Sequence, residues 1–191
     1  MKRLTQIALA GLGLALFAPV GHAQMITLGS GLGVECFNAV NNPYTEAYRA
    51  EKVCSRALAE EVMIATNRAA TYVNRGISRM RQDKPEEALA DFERAKSIRP
   101  NLPDLYINEG AVLVHLGRYE DALAPLQKAV ELESGALHVA YLNLGLAREG
   151  VGDLEGAYFD IARAYELAPE WSVAEQEFAR FSILSTDEYT N

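Results

Sequence analysis

The sequence predicts an all-α protein, an α–α superhelix in which similar helix pairs stack into a solenoid. The first observation is a glycine that recurs at Gly76, Gly110 and Gly145, at steps of 34 and 35 residues. The second is that the same residue types recur around each glycine in the same register. Self-similarity at a fixed period of about 20–50 residues is the sequence signature of a repeat architecture.

Four positions define the register. A tyrosine lies four residues before each glycine, and an alanine, a large apolar residue and a second alanine follow it: Tyr72, Tyr106 and Tyr141; Ala88, Ala122 and Ala157; Phe92, Leu126 and Ile161; Ala95, Ala129 and Ala164. We interpret each unit as two helices, the first carrying the tyrosine and glycine and the second carrying the alanines. Small residues let two helices approach closely, and the large residues fill the space between them.

Turn residues separate the two helices of each unit. Pro85 suits the first turn of a helix, where its missing N–H costs nothing, and Gly117 and Gly152 suit a left-handed helix end. A period near 34 with this pattern resembles the tetratricopeptide repeat. The resemblance implies three helix pairs, at 69–102, 103–136 and 138–171.

Two charged residues depart from the family pattern. The leucine usual just before the glycine is Arg75 in the first unit and Glu109 in the second. Because they hold equivalent places in adjacent units, we predict that they pair. The alternative is two solvated charges, since exposed ion pairs contribute only about 0–1 kcal/mol.

Both ends are predicted to carry caps, because terminal repeats meet water on one face. Residues 24–66 read as a flexible glycine-containing lead-in and a worn helix pair, in which Ala50, Cys54 and Ala57 repeat the small–large–small spacing of a second helix. Residues 172–191 read as a capping helix and a tail. We expect this helix to run from Glu170 to Leu184 and to cover the third unit with its apolar side chains: Trp171, Val173, Phe178, Phe181 and Ile183.

The N-terminus has the features of a cleavable signal peptide over residues 1–23. Lys2 and Arg3 precede an uncharged apolar run, and small residues end at Ala23. We predict a mature chain that begins at Gln24, has no integral membrane span, and is periplasmic or secreted. An uncleaved anchor is the alternative.

Cys36 and Cys54 are predicted to form a disulfide, because bridges persist in exported proteins; two reduced, buried thiols are the alternative.

The charge and the residue inventory exclude several functions. Loss of residues 1–23 removes two positive charges and no acid, so the net charge changes from −8 to −10. An acidic body without a basic tract argues against nucleic acid. No histidine or cysteine has metal-ligand spacing, and no nucleophile–base motif occurs. We therefore predict no enzyme activity, no cofactor and no metal.

Binding remains, and the resemblance implies a concave groove lined by the first helices. Carried over residue by residue, the candidate groove side chains are Val73, Asn74, Ile77, Ile107, Asn108, Ala111, Val114, His115, Leu142, Asn143 and Leu146. We predict that Val73, Ile107 and Leu142 form a partly exposed apolar stripe, and that the asparagine found in every unit faces a peptide backbone. The alternatives are burial of the stripe against neighbouring helices and asparagines that join helices.

The resemblance also limits the kind of peptide. The well-known groove of this family clamps a C-terminal carboxylate with Lys, Arg and Asn, whereas the matching places here hold Val73, Ile77 and Val139. An apolar segment is expected instead. The predicted function is an exported, non-catalytic interaction scaffold that binds a peptide or a partner helix. The alternatives are a periplasmic carrier of a small apolar ligand and an accessory subunit of an envelope complex.

Overall fold

The computed structural model describes residues 31–188, with side chains as far as residue 181. The predicted signal peptide, residues 1–23, and the cleavage point before Gln24 lie outside this range. Within the described range the chain forms nine α-helices and no strand. They are α1 (Leu32–Asn41), α2 (Ala47–Glu60), α3 (Ala65–Met80), α4 (Pro85–Ile98), α5 (Pro103–His115), α6 (Tyr119–Glu131), α7 (Leu137–Gly150), α8 (Leu154–Leu167) and α9 (Ser172–Glu188).

The helices pair as consecutive hairpins that stack in chain order. Helices α3 with α4, α5 with α6, and α7 with α8 form the three central hairpins, and α1 with α2 forms a shorter one in front of them. First helices also pack on first helices, α1 on α3 and α5 on α7. Each hairpin therefore contacts only its neighbours, which is the arrangement of a solenoid. The predicted all-α solenoid is confirmed, although α3 begins at Ala65, four residues before the predicted start of its unit.

The recurrent glycines are the points at which the two helices of a hairpin meet. A Cβ atom added at Gly76 would overlap the Phe92 ring, one at Gly110 would overlap Leu126, and one at Gly145 would lie 2.6 Å from Ile161 Cγ1. The three large side chains are fully buried. The register therefore encodes the contact directly, since each glycine makes room for the large residue sixteen positions later.

The turns inside the hairpins follow from their residues. Gly117 and Gly152 have φ of +70° and +87°, a conformation that glycine adopts at no steric cost. Asp83 takes the same left-handed region at φ +59° in the first unit. Pro85 is the first residue of α4. The turn between α3 and α4 thus uses aspartate and proline where the later units use glycine.

The front hairpin is closed by the predicted disulfide. Cys36 in α1 and Cys54 in α2 are bonded, their Cα atoms are 4.6 Å apart, and both side chains are fully buried. Ala50 and Ala57 flank Cys54 in the core of this hairpin. The first helix of the predicted worn pair is α1, which begins at Leu32 and buries Gly33, so the glycine-containing lead-in ends before Leu32.

The rear of the stack is covered by α9. Phe181 is buried there, and three further aromatic and aliphatic side chains pack against the same core: Trp171, Val173 and Phe178. The Phe178 ring stacks on Tyr165 of α8 with centroids 5.2 Å apart. Ile183 lies beyond the described side chains. The predicted helix end at Leu184 is wrong, since α9 continues to Glu188. In the described part of the chain, none of these helices is long and apolar enough to cross a membrane.

Candidate interaction surface

The predicted apolar stripe is not a surface. Val73 and Ile107 are fully buried, and Leu142 is 1% exposed. Val73 belongs to the core shared by α3, α4 and α5, and Ile107 packs among alanines of α6 and α7. Neighbouring first helices lie against each other on this side, so they enclose the residues that face across. The prediction of a partly exposed stripe is therefore wrong, and the alternative of burial against neighbouring helices is correct.

The remaining apolar candidates behave in the same way. Ala111, Val114 and Leu146 are 2–6% exposed. Ile77 alone among the apolar candidates is half-buried, and it packs at the edge between the front hairpin and the first unit. The predicted open apolar groove is therefore closed, and Ile77 is the one apolar candidate that remains partly exposed.

The asparagine row points into the protein. Asn143 is 1% exposed, and its Nδ2 donates to Val139 O of its own helix at 3.0 Å. Asn108 is half-buried and donates in the same way to Asp104 O at 2.7 Å. Asn74 is fully buried, and neither its Oδ1 nor its Nδ2 has a hydrogen-bond partner within the described residues. The prediction that this row faces a peptide backbone is wrong for Asn74 and Asn143, and only Asn108 retains access to solvent.

Polar side chains at the ends of the first helices remain accessible. His115, at the end of α5, is exposed and lies 3.8 Å from Asp83 Oδ1. Arg81 follows α3, and its Nη1 donates to Val40 O at 2.7 Å, among the last carbonyls of α1. Partial burial lowers the pKa of Arg81. Together with Ile77 and Asn108, these side chains form what we call the first-helix edge: Ile77, Arg81, Asn108 and His115.

The predicted pair of Arg75 with Glu109 does not form. Arg75 instead donates twice to Asp91 of its own unit, at 2.6 and 2.9 Å. Glu109 accepts from Lys96 Nζ at 2.7 Å, and burial raises the pKa of Glu109. Both charges are therefore paired, but each bonds to a neighbouring second helix, because that helix is the nearer surface.

These ion pairs follow the repeat. Asp91 also contacts Arg79 at 3.0 Å, and the equivalent residues of the third unit, Arg148 and Asp160, are 3.1 Å apart. In the second unit the same two places hold Leu113 and Pro125. In the first and third units, an arginine three residues after the glycine pairs with an aspartate on the second helix. In the second unit, apolar residues replace both members of the pair.

The third-unit pair is less complete than that of the first unit. Asp160 Oδ2 contacts Arg148 Nη1 but makes no hydrogen bond, and the Asp160 side chain is 10% exposed. Burial raises the pKa of Asp160 to about 6, although Arg148 opposes the shift and Asp153 adds to it. The Asp160 carboxyl therefore binds its proton more tightly in the folded state than in the unfolded chain. This contribution to stability is lost as the pH rises through about 6.

We expect Asp160→Asn to remove a pH dependence of stability. In the wild-type protein the folded state holds a proton between about pH 4 and 6 that the unfolded chain has released, so the free energy of unfolding falls as the pH rises through this window. From pH 4 to pH 7, the unfolding free energy of the variant should rise relative to wild type by about 2 kcal/mol. Urea unfolding at both pH values measures this, and parallel pH profiles of the two proteins would contradict it.

Large apolar side chains are exposed elsewhere on the described surface. Tyr44 and Tyr48 lie at the turn of the front hairpin, Val62 and Ile64 connect α2 to α3, and the others lie at or in the last hairpin: Val151, Leu154, Phe159 and Leu167. Sequence reasoning missed Val62 and Ile64. The signal that was available is a Val-Met-Ile run between two helices without glycine or proline. No group of His, Cys, Asp and Glu within the described residues could hold a metal ion.

The stacked hairpins and their accessible edge define an α-solenoid, a class that presents extended surfaces built from successive repeats. Residues 67–134, which span the first and second central hairpins, match the family described as tetratricopeptide repeat. This fold is typically a non-catalytic scaffold for protein interactions.

Three known proteins illustrate the similarity. The Hsp70-Hsp90 organizing protein of Triticum aestivum is 41% identical over 81 residues, which are 42% of this chain and 13% of that protein. The chain thus spans about an eighth of this relative. MamA from residue 41 to its end, from Desulfovibrio magneticus RS-1, superposes with a TM-score of 0.68 over 86% of this chain and 90% of its own, at 23% identity, which concerns the fold alone.

The third similar protein contains a bound peptide. It is the first tetratricopeptide domain of Spaghetti (RPAP3) with the HSP90 peptide SRMEEVD. The TM-score is 0.58 at 26% identity, over 62% of this chain and 93% of that domain. The places that the resemblance equates with a carboxylate clamp hold Val73, Ile77 and Val139, of which Val73 and Val139 are buried. The basic groups that an acidic peptide needs are therefore absent from these positions.

Proposed function

We propose that this protein is an exported, non-catalytic protein–protein interaction scaffold that is periplasmic or secreted. The observation that carries the proposal is the first-helix edge, in which Ile77, Asn108 and His115 stay accessible on adjacent helices while the rest of the predicted groove is enclosed. A peptide or partner helix that lies across α3 and α5 would contact one apolar group, one amide and one imidazole. The alternative of a carrier for a small apolar ligand loses its support, because its binding residues are buried.

Export is supported by two independent features. The Cys36–Cys54 bridge is formed within the front hairpin, and disulfides persist in oxidising compartments. Residues 1–23 have the charge and apolar pattern of a signal peptide. The intact mass of protein extracted from the envelope should correspond to a chain that begins at Gln24. A full-length mass would mean that the segment is an anchor.

The partner is expected to differ from the HSP90 peptide. That peptide is acidic by its sequence, and the corresponding clamp positions here are apolar. At the first-helix edge Arg81 is occupied by a backbone carbonyl, and His115 faces Asp83. The edge therefore offers little free positive charge, and it suits a segment that supplies an apolar side chain to Ile77 and hydrogen-bonding groups to Asn108.

The test is site-specific photo-crosslinking in the native envelope. A photoreactive residue at Asn108 should crosslink to a defined partner, whereas the same residue at Ala124, exposed on α6 of the same unit, should not. Ile77→Ala should weaken the crosslink because it removes the apolar contact, and circular dichroism should show unchanged helical content although Ile77 packs between the front hairpin and the first unit. Crosslinks of equal strength from both positions, or none from Asn108, would refute the proposal.

A further inference from the structure

The connection between the front hairpin and the first unit has an unusual backbone. Residues 61–64 have no regular secondary structure, and the backbone is extended at both ends of the segment, with φ and ψ of −97° and 133° at Glu61 and −62° and 154° at Ile64. The connections after α6 and α8 fold back through turn hydrogen bonds, from Glu133 N to Val130 O and from Trp171 N to Ala168 O. The segment 61–64, which we call the linker edge, therefore resembles a short strand.

The side chains of the linker edge alternate as in a strand. Val62 is 101% exposed and Ile64 is 60% exposed, whereas Met63 between them packs into the core of the front hairpin. Period-two alternation with one face anchored is the pattern of an edge strand. Two β-branched side chains are thus held outward on a segment whose middle residue is fixed.

The middle of the linker edge is not paired with other backbone. Among the described residues, the N–H and C=O groups of Val62 and Met63 form no backbone hydrogen bond. Exposed extended backbone of this kind is a template on which another extended chain can pair. Strand addition of this type obtains affinity from main-chain hydrogen bonds and specificity from alternate side chains.

The acidic and basic side chains near the linker edge differ in their partners. Glu61 accepts from Gly33 N at 2.6 Å at the start of α1, and Glu60 lies 3.9 Å from Arg56. Arg99 is bonded only to Thr66 Oγ1, at 2.8 Å, and Arg68 lies over the Tyr72 ring. Neither of these two guanidinium groups contacts a carboxylate of the described chain. Glu61 is hydrogen-bonded, whereas no carboxylate of the described chain contacts Arg99 or Arg68, so these two guanidinium groups can pair with an acidic partner.

We propose that the linker edge is a docking strand for an extended segment of a partner protein in which aliphatic and acidic residues alternate. Aliphatic side chains would pack on Val62 and Ile64, and carboxylates would pair with Arg99 and Arg68. A second copy of this chain does not fit, because a helix about 10 Å wide flanks the linker at each end and paired strands lie only about 4.8 Å apart. This inference rests on the proposed scaffold function and places its partner at a second surface.

The experiment uses the full protein, with its disulfide intact, and a terminally blocked hexapeptide that alternates valine with aspartate. Amide chemical shifts of Val62, Met63 and Ile64 should move on titration, and the first-helix edge should not. The same peptide methylated on its pairing amides, or with lysine in place of aspartate, should bind at least about tenfold more weakly. Shift changes confined to Ile77, Asn108 and His115 would overturn the inference and leave the proposed function intact.

Matched variants complete the test. Val62→Thr with Ile64→Thr, and separately Arg99→Gln, should each weaken binding by about tenfold or more, because the changes are at exposed positions that the fold does not need. Val151→Thr, also at an exposed aliphatic residue, should bind like wild type. Unchanged binding in all variants, or a dimer in sedimentation that Val62→Thr with Ile64→Thr dissociates, would overturn the inference. Loss of the photo-crosslink from Asn108 tests the scaffold function separately.

Discussion

Phe92→Ala is expected to destabilise the protein by about 3–5 kcal/mol, the usual cost of truncating a buried aromatic side chain. The Phe92 ring is fully buried and occupies the space that Gly76 leaves open between α3 and α4. With the ring removed, that space becomes a cavity between two helices that glycine and alanine cannot fill. The loss of packing should centre on the core shared by α3, α4 and α5, to which Phe92 belongs.

The matched control is Phe159→Ala. Phe159 lies on α8, a second helix like α4, but its side chain is 61% exposed, and its main ring contact is with Tyr158. We expect this change to cost less than about 1 kcal/mol. Urea denaturation followed by circular dichroism gives both values. Similar costs for the two substitutions would mean that the glycine–phenylalanine contact does not hold the hairpin together.

Loss of the Cys36–Cys54 bridge should loosen the front hairpin and spare the three central hairpins. Cys54 occupies the register of Phe92, Leu126 and Ile161, so the front hairpin has a small residue where every other unit has a large one. The bridge supplies the connection that a large side chain supplies elsewhere. For a separation of 18 residues, the loop-entropy model assigns it about 3 kcal/mol.

Hydrogen exchange with and without reductant measures this effect by position. Amides of α1 and α2 should exchange much faster after reduction, while those of α7 should not change, because hairpins in a solenoid contact only their neighbours. The double variant Cys36→Ala with Cys54→Ala is the control, since reductant should have no effect on it. Equal protection of α1 and α2 with and without reductant would show that the bridge does not stabilise the front hairpin.

A sequence predicts contacts well when both partners lie in one repeat at a fixed register. The hairpin contacts of Gly76, Gly110 and Gly145, the turns at Gly117 and Gly152, and the pairing of two cysteines on adjacent short helices all have this property. Each depends on residues that are close in the chain. The contact between glycine and the large residue also occurs in three copies, so each copy supports the same interpretation.

Contacts between units were predicted poorly. Arg75 and Glu109 were predicted to pair because they hold equivalent positions in adjacent units. Instead, each bonds to a residue of α4, Arg75 to Asp91 and Glu109 to Lys96. Equivalent positions in successive units are translated along the stack, and this translation does not bring them together. The residues that lie nearest are those on the helix packed between them, and sequence periodicity does not identify that helix.

The sequence by itself determined the helix pairs, their register, the bridge and the acidic, repeat-built character of the chain. Only the tertiary structure decided which side of each first helix stays open. Periodicity gives the direction of a side chain around its own helix, but exposure depends on how closely the next helix approaches. That approach encloses Val73, Ile107 and Leu142, and it leaves Val62 and Ile64 outside because no helix of residues 31–188 covers the connection between α2 and α3.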